Sequence, residues 1–118
     1  SPTNRVLGVT EEQRLNIISE VITKYDPEFQ IKFYCNLFNQ KLKIEKDNQF
    51  SINLDTQEEI NNEISENKKN IYIVLNKLKE LYKNDETLKS TILRSLEKEG
   101  IYRSVINNSL NKIIFKKN

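Results

Sequence analysis

A chain of 118 residues, 36% hydrophobic and 31% charged, is long enough for one hydrophobic core and too short for two. A formal net charge of +2 is too small to point to nucleic acid. No apolar run exceeds the five residues of "IYIVL", which excludes a transmembrane span.

Residues 1–9 ("SPTNRVLGV") read as a linker, with no basic segment leading into an apolar one, and residues 10–118 as a single helical domain in a fragment of a longer protein. A capping box opens the first helix. Thr10 is placed to cap and Gln13 occupies the third helical position. Leu15, Ile18, Ile22 and Tyr25 follow at helical steps, with Ile17 and Val21 widening the stripe. The helix is expected to end at Tyr25, because Pro27 disfavours helical dihedrals at Asp26. Asp26-Pro27-Glu28 then starts a second helix: a capping carboxylate, a proline in the first turn and an acid near the positive end of the dipole.

That second helix, "PEFQIKFYCNLFNQKLKI", is the most apolar segment. One row is Ile31, Tyr34, Cys35, Phe38 and Leu42, and another is Phe29, Phe33 and Leu37. Two apolar faces predict a helix at the centre of a bundle. "EKDNQFSINLDT" reads as a loop that tucks Phe50, Ile52 and Leu54 onto the bundle. A second capping box, Thr56 with Glu59, opens the row Ile60, Ile64, Ile71, Leu75, Leu78 and Tyr82. The polar patch "SENKKN" leaves open whether residues 56–84 form one helix or two. Asn84-Asp85 breaks the chain before "ETLKSTILRSLEKE", whose apolar residues are Leu88, Ile92, Leu93 and Leu96. After Gly100 a last helix carries Ile101, Tyr102, Val105, Leu110, Ile113 and Ile114. The pattern predicts an all-α fold, a four- or five-helix bundle with short loops.

Asn, Ile and Lys supply 46 of the 118 residues, while Ala, His, Trp and Met are absent. That bias follows AT-rich codons and gives the Asn-rich stretches no functional meaning of their own. Charge is polarised along the chain. Six acids and no base lie between Asp47 and Glu66, and Arg103, Lys112, Lys116 and Lys117 follow Glu99 with no acid. Solvated faces account for this, although the polarity could also steer a partner.

The materials of an active site are missing. No His means no imidazole base, and one Cys with no His builds no common zinc site. Gly8 and Gly100 are too few and too far apart for a phosphate-cradling loop, and no EF-hand spacing occurs. The reading is therefore non-enzymatic, with no catalytic residue, no metal and no cofactor. Cys35 sits among the apolar neighbours Tyr34, Leu37 and Phe38 with no basic residue four positions to either side, as a buried structural thiol would. Lacking an intramolecular partner, it favours a reducing, intracellular setting, with cytoplasm and nucleus undistinguished. The "NNS" sequence at Asn107 falls inside a predicted helix and is read as incidental. A nucleic-acid interface would need a basic stripe, and of the C-terminal bases only Lys112 and Lys116 share a face.

Residues 88–115, "LKSTILRSLEKEGIYRSVINNSLNKIIF", resemble the LisH-type dimerisation hairpin of the centrosomal FOP family. Leu88, Ile92, Leu96, Glu97, Gly100, Ile101, Tyr102, Val105, Ile113 and Phe115 fall on its pattern. The departure is Ser109, where the family carries an apolar residue; Leu110 comes one step late. The resemblance implies a homodimer of packed helix hairpins in a scaffold protein. A rival resemblance is to the N-terminal domain of elongation factor TFIIS, in the order Leu75, Leu78, Leu81, Gly100, Ile101 and Val105. It implies a bundle that docks short disordered peptides. Here the family's Leu-Trp pair is absent, and the chain stops at Asn118 without room for its closing helix.

The functional expectation is a protein–protein interaction module with a protein partner, a second copy of the chain among the candidates, and no membrane. Its sharpest form is self-association through Leu96, Gly100, Ile101, Tyr102, Val105, Leu110 and Ile113. The alternatives are a monomeric peptide-docking bundle of a transcription or chromatin factor, and a nucleic-acid-binding helical domain.

Overall fold

A computed structural model describes residues 8–45, 66–101 and 103–116 of the chain. Helix α1 (Glu11–Ile22) begins with both halves of the expected capping box: Thr10 Oγ1 accepts from the Gln13 amide at 3.1 Å, and Gln13 Oε1 accepts from the Thr10 amide at 2.9 Å. It ends at Ile22, three residues before the expected Tyr25. The Thr23 hydroxyl donates to the Glu20 carbonyl at 2.6 Å, and the Lys24 and Tyr25 amides bond three residues back. Such tightened bonds close the last turn and free the chain to reach Asp26.

Asp26 then caps α2 (Pro27–Glu45), accepting from the Phe29 amide at 2.8 Å. Helix α3 (Glu66–Asn84) buries Ile71, Tyr72, Val74, Leu75, Leu78 and Tyr82, a wide stripe at helical spacing. The expected loop at 45–56, the capping box at Thr56 and Glu59, and the choice between one helix and two before Glu66 lie outside the described residues. Asp85 caps a 3-10 turn (Glu86–Leu88) through the Thr87 amide, and α4 (Lys89–Lys98) follows directly.

Gly100 ends α4 with φ of +86°, a conformation that an L side chain adopts only under strain. Its amide donates to Glu97 O at 3.0 Å, and the Ile101 amide donates to Leu96 O at 3.2 Å. These two bonds make a Schellman cap. The chain resumes as α5 (Arg103–Val105), a π-helical stretch (Ile106–Leu110) and α6 (Asn111–Ile114). Ile106, Leu110, Ile113 and Ile114 are all buried along this last segment.

The fold is an all-α bundle, with no strand among the described residues. Helices α2 and α3 form its centre, with α4 against α2, and α1 and α6 against α3. One core cluster joins Leu15 and Ile22 of α1, Ile31, Tyr34, Cys35 and Phe38 of α2, the α3 stripe, Ile92 and Leu96 of α4, and the C-terminal apolar residues. Phe115 closes the C-terminal end, edge-on to Tyr82 at 4.9 Å between ring centroids and beneath the Lys89 ammonium at 5.1 Å. No described helix is long and apolar enough to cross a membrane.

Candidate interaction surface

The residues that the sequence singled out at the C-terminal corner are mostly turned inward. Leu96 and Leu110 are fully buried, Ile101 and Ile113 nearly so, and Val105 packs half-buried against the same core. Gly100 is exposed, and Tyr102 lies outside the described residues. The short linkage between the two helices is explained by the cap, and the apolar side chains after it fill the chain's own core. A second copy could use them only by displacing core contacts, each fully buried Leu contributing about 2–3 kcal/mol of transfer free energy.

Cys35 is buried among core residues, and its thiol is pushed up to about 12 by burial and then by the nearby Glu99 charge. At neutral pH it stays protonated, which removes the nucleophile. Glu99 itself accepts from the side-chain amides of Asn36 at 3.3 and 3.4 Å and of Asn39 at 3.3 Å, fastening the end of α4 to α2. A cleft beside Gly8, Val9 and Thr10 holds the carboxylates of Glu11 and Glu66. Both Glu11 oxygens are taken: Oε1 by Arg14 Nε at 2.6 Å, Oε2 by Arg14 Nη2 at 3.1 Å and by Lys41 Nζ at 2.8 Å. Among the described residues no group of three His, Cys, Asp or Glu side chains is placed to hold a metal ion.

The outer face of the α1–α2 hairpin is different. The two helices are antiparallel and held in register by three side-chain bonds. Tyr34 donates its hydroxyl to Ser19 Oγ at 3.0 Å, Gln30 donates to the Tyr25 carbonyl at 2.9 Å, and Lys41 reaches Glu11. With Leu15, Ile18 and Ile22 turned to the core and Ser19 to α2, Ile17 and Val21 fall together on the outward side of α1, one turn apart. They are 54% and 53% exposed. Tyr25, in the turn, and Phe29, at the start of α2, are 52% and 42% exposed, their rings in tilted contact at 4.7 Å. Phe33 and Leu37, four and eight residues beyond Phe29, extend the row along α2 as half-buried side chains. Ile44 stands 63% exposed past its far end.

The second apolar face of α2, expected to lie inside the bundle, is therefore only partly covered by the described residues. What remains is two exposed apolar pairs, Ile17 with Val21 one turn apart on α1 and Tyr25 in ring contact with Phe29 where the chain enters α2. The widened stripe of α1 and the second row of α2 both contain such residues, and periodicity alone assigns each to the core. The missing information was which side of the hairpin α3 would occupy.

No family model, no curated protein and no solved structure matches this chain.

Proposed function

We propose that the chain is a non-enzymatic helical protein–protein interaction module that receives its partner on the exposed apolar side chains of α1 and the turn into α2. The observation that carries this reading is four large apolar side chains, Ile17, Val21, Tyr25 and Phe29, each with roughly half of its surface open to water. Single exposed apolar residues are ordinary on a protein surface, whereas neighbouring ones, as Ile17 with Val21 and Tyr25 with Phe29, mark contact sites. Each of these side chains loses water-exposed apolar area when covered, at roughly 25 cal/mol per Å². The protonated Cys35 and the internally satisfied Glu11 support a binding role over a chemical one.

Site-specific photocrosslinking tests the reading. With a benzophenone side chain at position 21, irradiation in extracts of the source cells should yield one discrete adduct. The same probe at Ser104, exposed and away from these side chains, should yield none. Equal labelling from both positions, or none from position 21, contradicts the assignment.

A further inference from the structure

We infer that Gly100 is a hinge through which two copies of this chain exchange their C-terminal segments, residues 101–116, each filling the place vacated in the other. The exposed side chains of α1 take no part in it. In the closed form the segment turns back along α4. The Lys89 ammonium, at the start of α4, lies over the Phe115 ring at 5.1 Å, and Arg103 approaches Glu97 at 3.9 Å. The two arms are therefore antiparallel, and Ile101, already buried, follows the Gly100 corner directly.

Three features let the arms part and rejoin across two copies. The first is where each arm rests. Helix α4 packs on α2, whereas α6 packs on α3, and the apolar side chains of the segment lie in the common core. Arg103 and Glu97 are both exposed, so their pair adds little to the closed arrangement. The α3 surface that receives the segment is identical in every copy. Exchange therefore restores the core contacts that a docked second copy would only displace.

The second feature is the pattern across the corner. Counted in α-helical turns straight through Gly100, Ile92, Leu96, Glu99, Arg103 and Ile106 fall within an arc of about 80°. The two charged members of that arc stand one turn apart, the acid first, the order that supports a helix. No proline follows Pro27. The chain from Lys89 onward can thus run on as one helix once the corner opens, as it must to reach a second copy.

The third feature is the balance at the hinge itself. Glycine takes φ of +86° in the closed form without strain and weakens a helix that runs through it. Ile101 acts in the same direction. Its amide bond to the Leu96 carbonyl and its burial belong to the corner, whereas in the straightened helix it falls opposite the arc. Both residues favour the closed monomer. Exchange then requires the segment to leave the core first, and it is captured when chains are concentrated.

Refolding from urea at about 1 mM chain, followed by size-exclusion chromatography with light scattering, tests this. The unmodified chain should give a minor dimer that reverts only through unfolding. Gly100→Ala disfavours the corner and favours the helix at both hinges, and should raise the dimerisation constant at least about a hundredfold. A Gly-Gly-Gly insertion after Gly100 should remove the dimer, because a relaxed loop closes within its own chain. The rings of Tyr82 and Phe115, 4.9 Å apart, report the exchange without any variant. In dimer refolded from mixed isotope-labelled and unlabelled chains, isotope-filtered NOEs should join Tyr82 of one chain to Phe115 of the other. A strict monomer from both the unmodified chain and Gly100→Ala overturns the exchange. So does a dimer that survives the insertion, or one whose Tyr82–Phe115 contact stays within a chain.

Discussion

The Ile101 amide reaches back across Gly100 to the Leu96 carbonyl at 3.2 Å, while both side chains lie in the same buried cluster. With the Gly100 bond to Glu97 it ends α4 and turns the chain that follows into the core. The glycine is required for its dihedral alone, since a Cβ added there would meet nothing within 4 Å. Gly100→Ala should destabilise the fold by about 1 kcal/mol, the penalty of a left-handed alanine, with no added loss from a clash. Urea denaturation with an unchanged m-value checks it, and a loss above about 3 kcal/mol would show that crowding contributes.

The Glu11–Lys41 pair ties the start of α1 to the far end of α2. Lys41 is almost fully buried, its side chain 6% exposed, and its ammonium pairs with Glu11 at 2.8 Å. Hydrogen bonding from Arg14, and then from Lys41, holds the Glu11 carboxyl below its ordinary value of 4.5 against the opposing pull of burial. A lowered carboxylate pKa contributes stability that is fully present above the unfolded value. It is lost as pH falls through the folded one. Unfolding free energy should therefore begin to drop below about pH 4.5, and Glu11→Gln should flatten that part of the profile. At neutral pH Glu11→Gln should cost about 1–2 kcal/mol, discounted from a fully buried pair because Glu11 is partly exposed.

Asn70 is buried at the start of α3, and among the described residues its Oδ1 has no hydrogen-bond partner. An unmet buried carbonyl carries a desolvation cost of about 1–3 kcal/mol. Asn70→Leu should therefore leave stability unchanged or raise it by about 1 kcal/mol, read as a higher midpoint of thermal unfolding. A loss of more than about 1 kcal/mol would show that the amide makes a needed contact.

Cys35 should resist thiol reagents in the native state. With its thiol pushed up to about 12 and its side chain buried, labelling at neutral pH has to wait for the chain to open. The labelling rate should rise with denaturant in step with global unfolding. Fast labelling of the folded protein would contradict the burial.

Signals carried by single residues and their near neighbours were legible in the sequence. The Thr10–Gln13 box, the Asp26 cap, the Asp85 break and the Gly100 turn each follow from local backbone chemistry, and each is found. So is the all-α class, because the apolar rows of α2 and α3 keep helical phase. The early end of α1 was not legible, since it depends on the Thr23 hydroxyl choosing the Glu20 carbonyl. Nor was the π-helical stretch. The burial of Ile106 was within reach, since Leu110 and Ile113 follow it at four and seven residues and all three are buried. The harder matter was the side of each helix. Periodicity groups Phe29 with Phe33, and Leu96 with Ile101, without saying which group meets the rest of the bundle. Only the placement of α3 decides that the C-terminal corner faces inward while Ile17 and Val21 face out.

That division between a core corner and an open face of α1 is the central claim, and paired substitutions measure it most directly. Thermal and urea unfolding should be followed for Leu96→Ala and Leu110→Ala beside Ile17→Ala and Val21→Ala. Losses of about 2–5 kcal/mol are expected for the two leucines and less than about 1 kcal/mol for the two exposed α1 residues. Leucine truncations that leave stability intact, or α1 truncations that cost as much as the leucines, would contradict it.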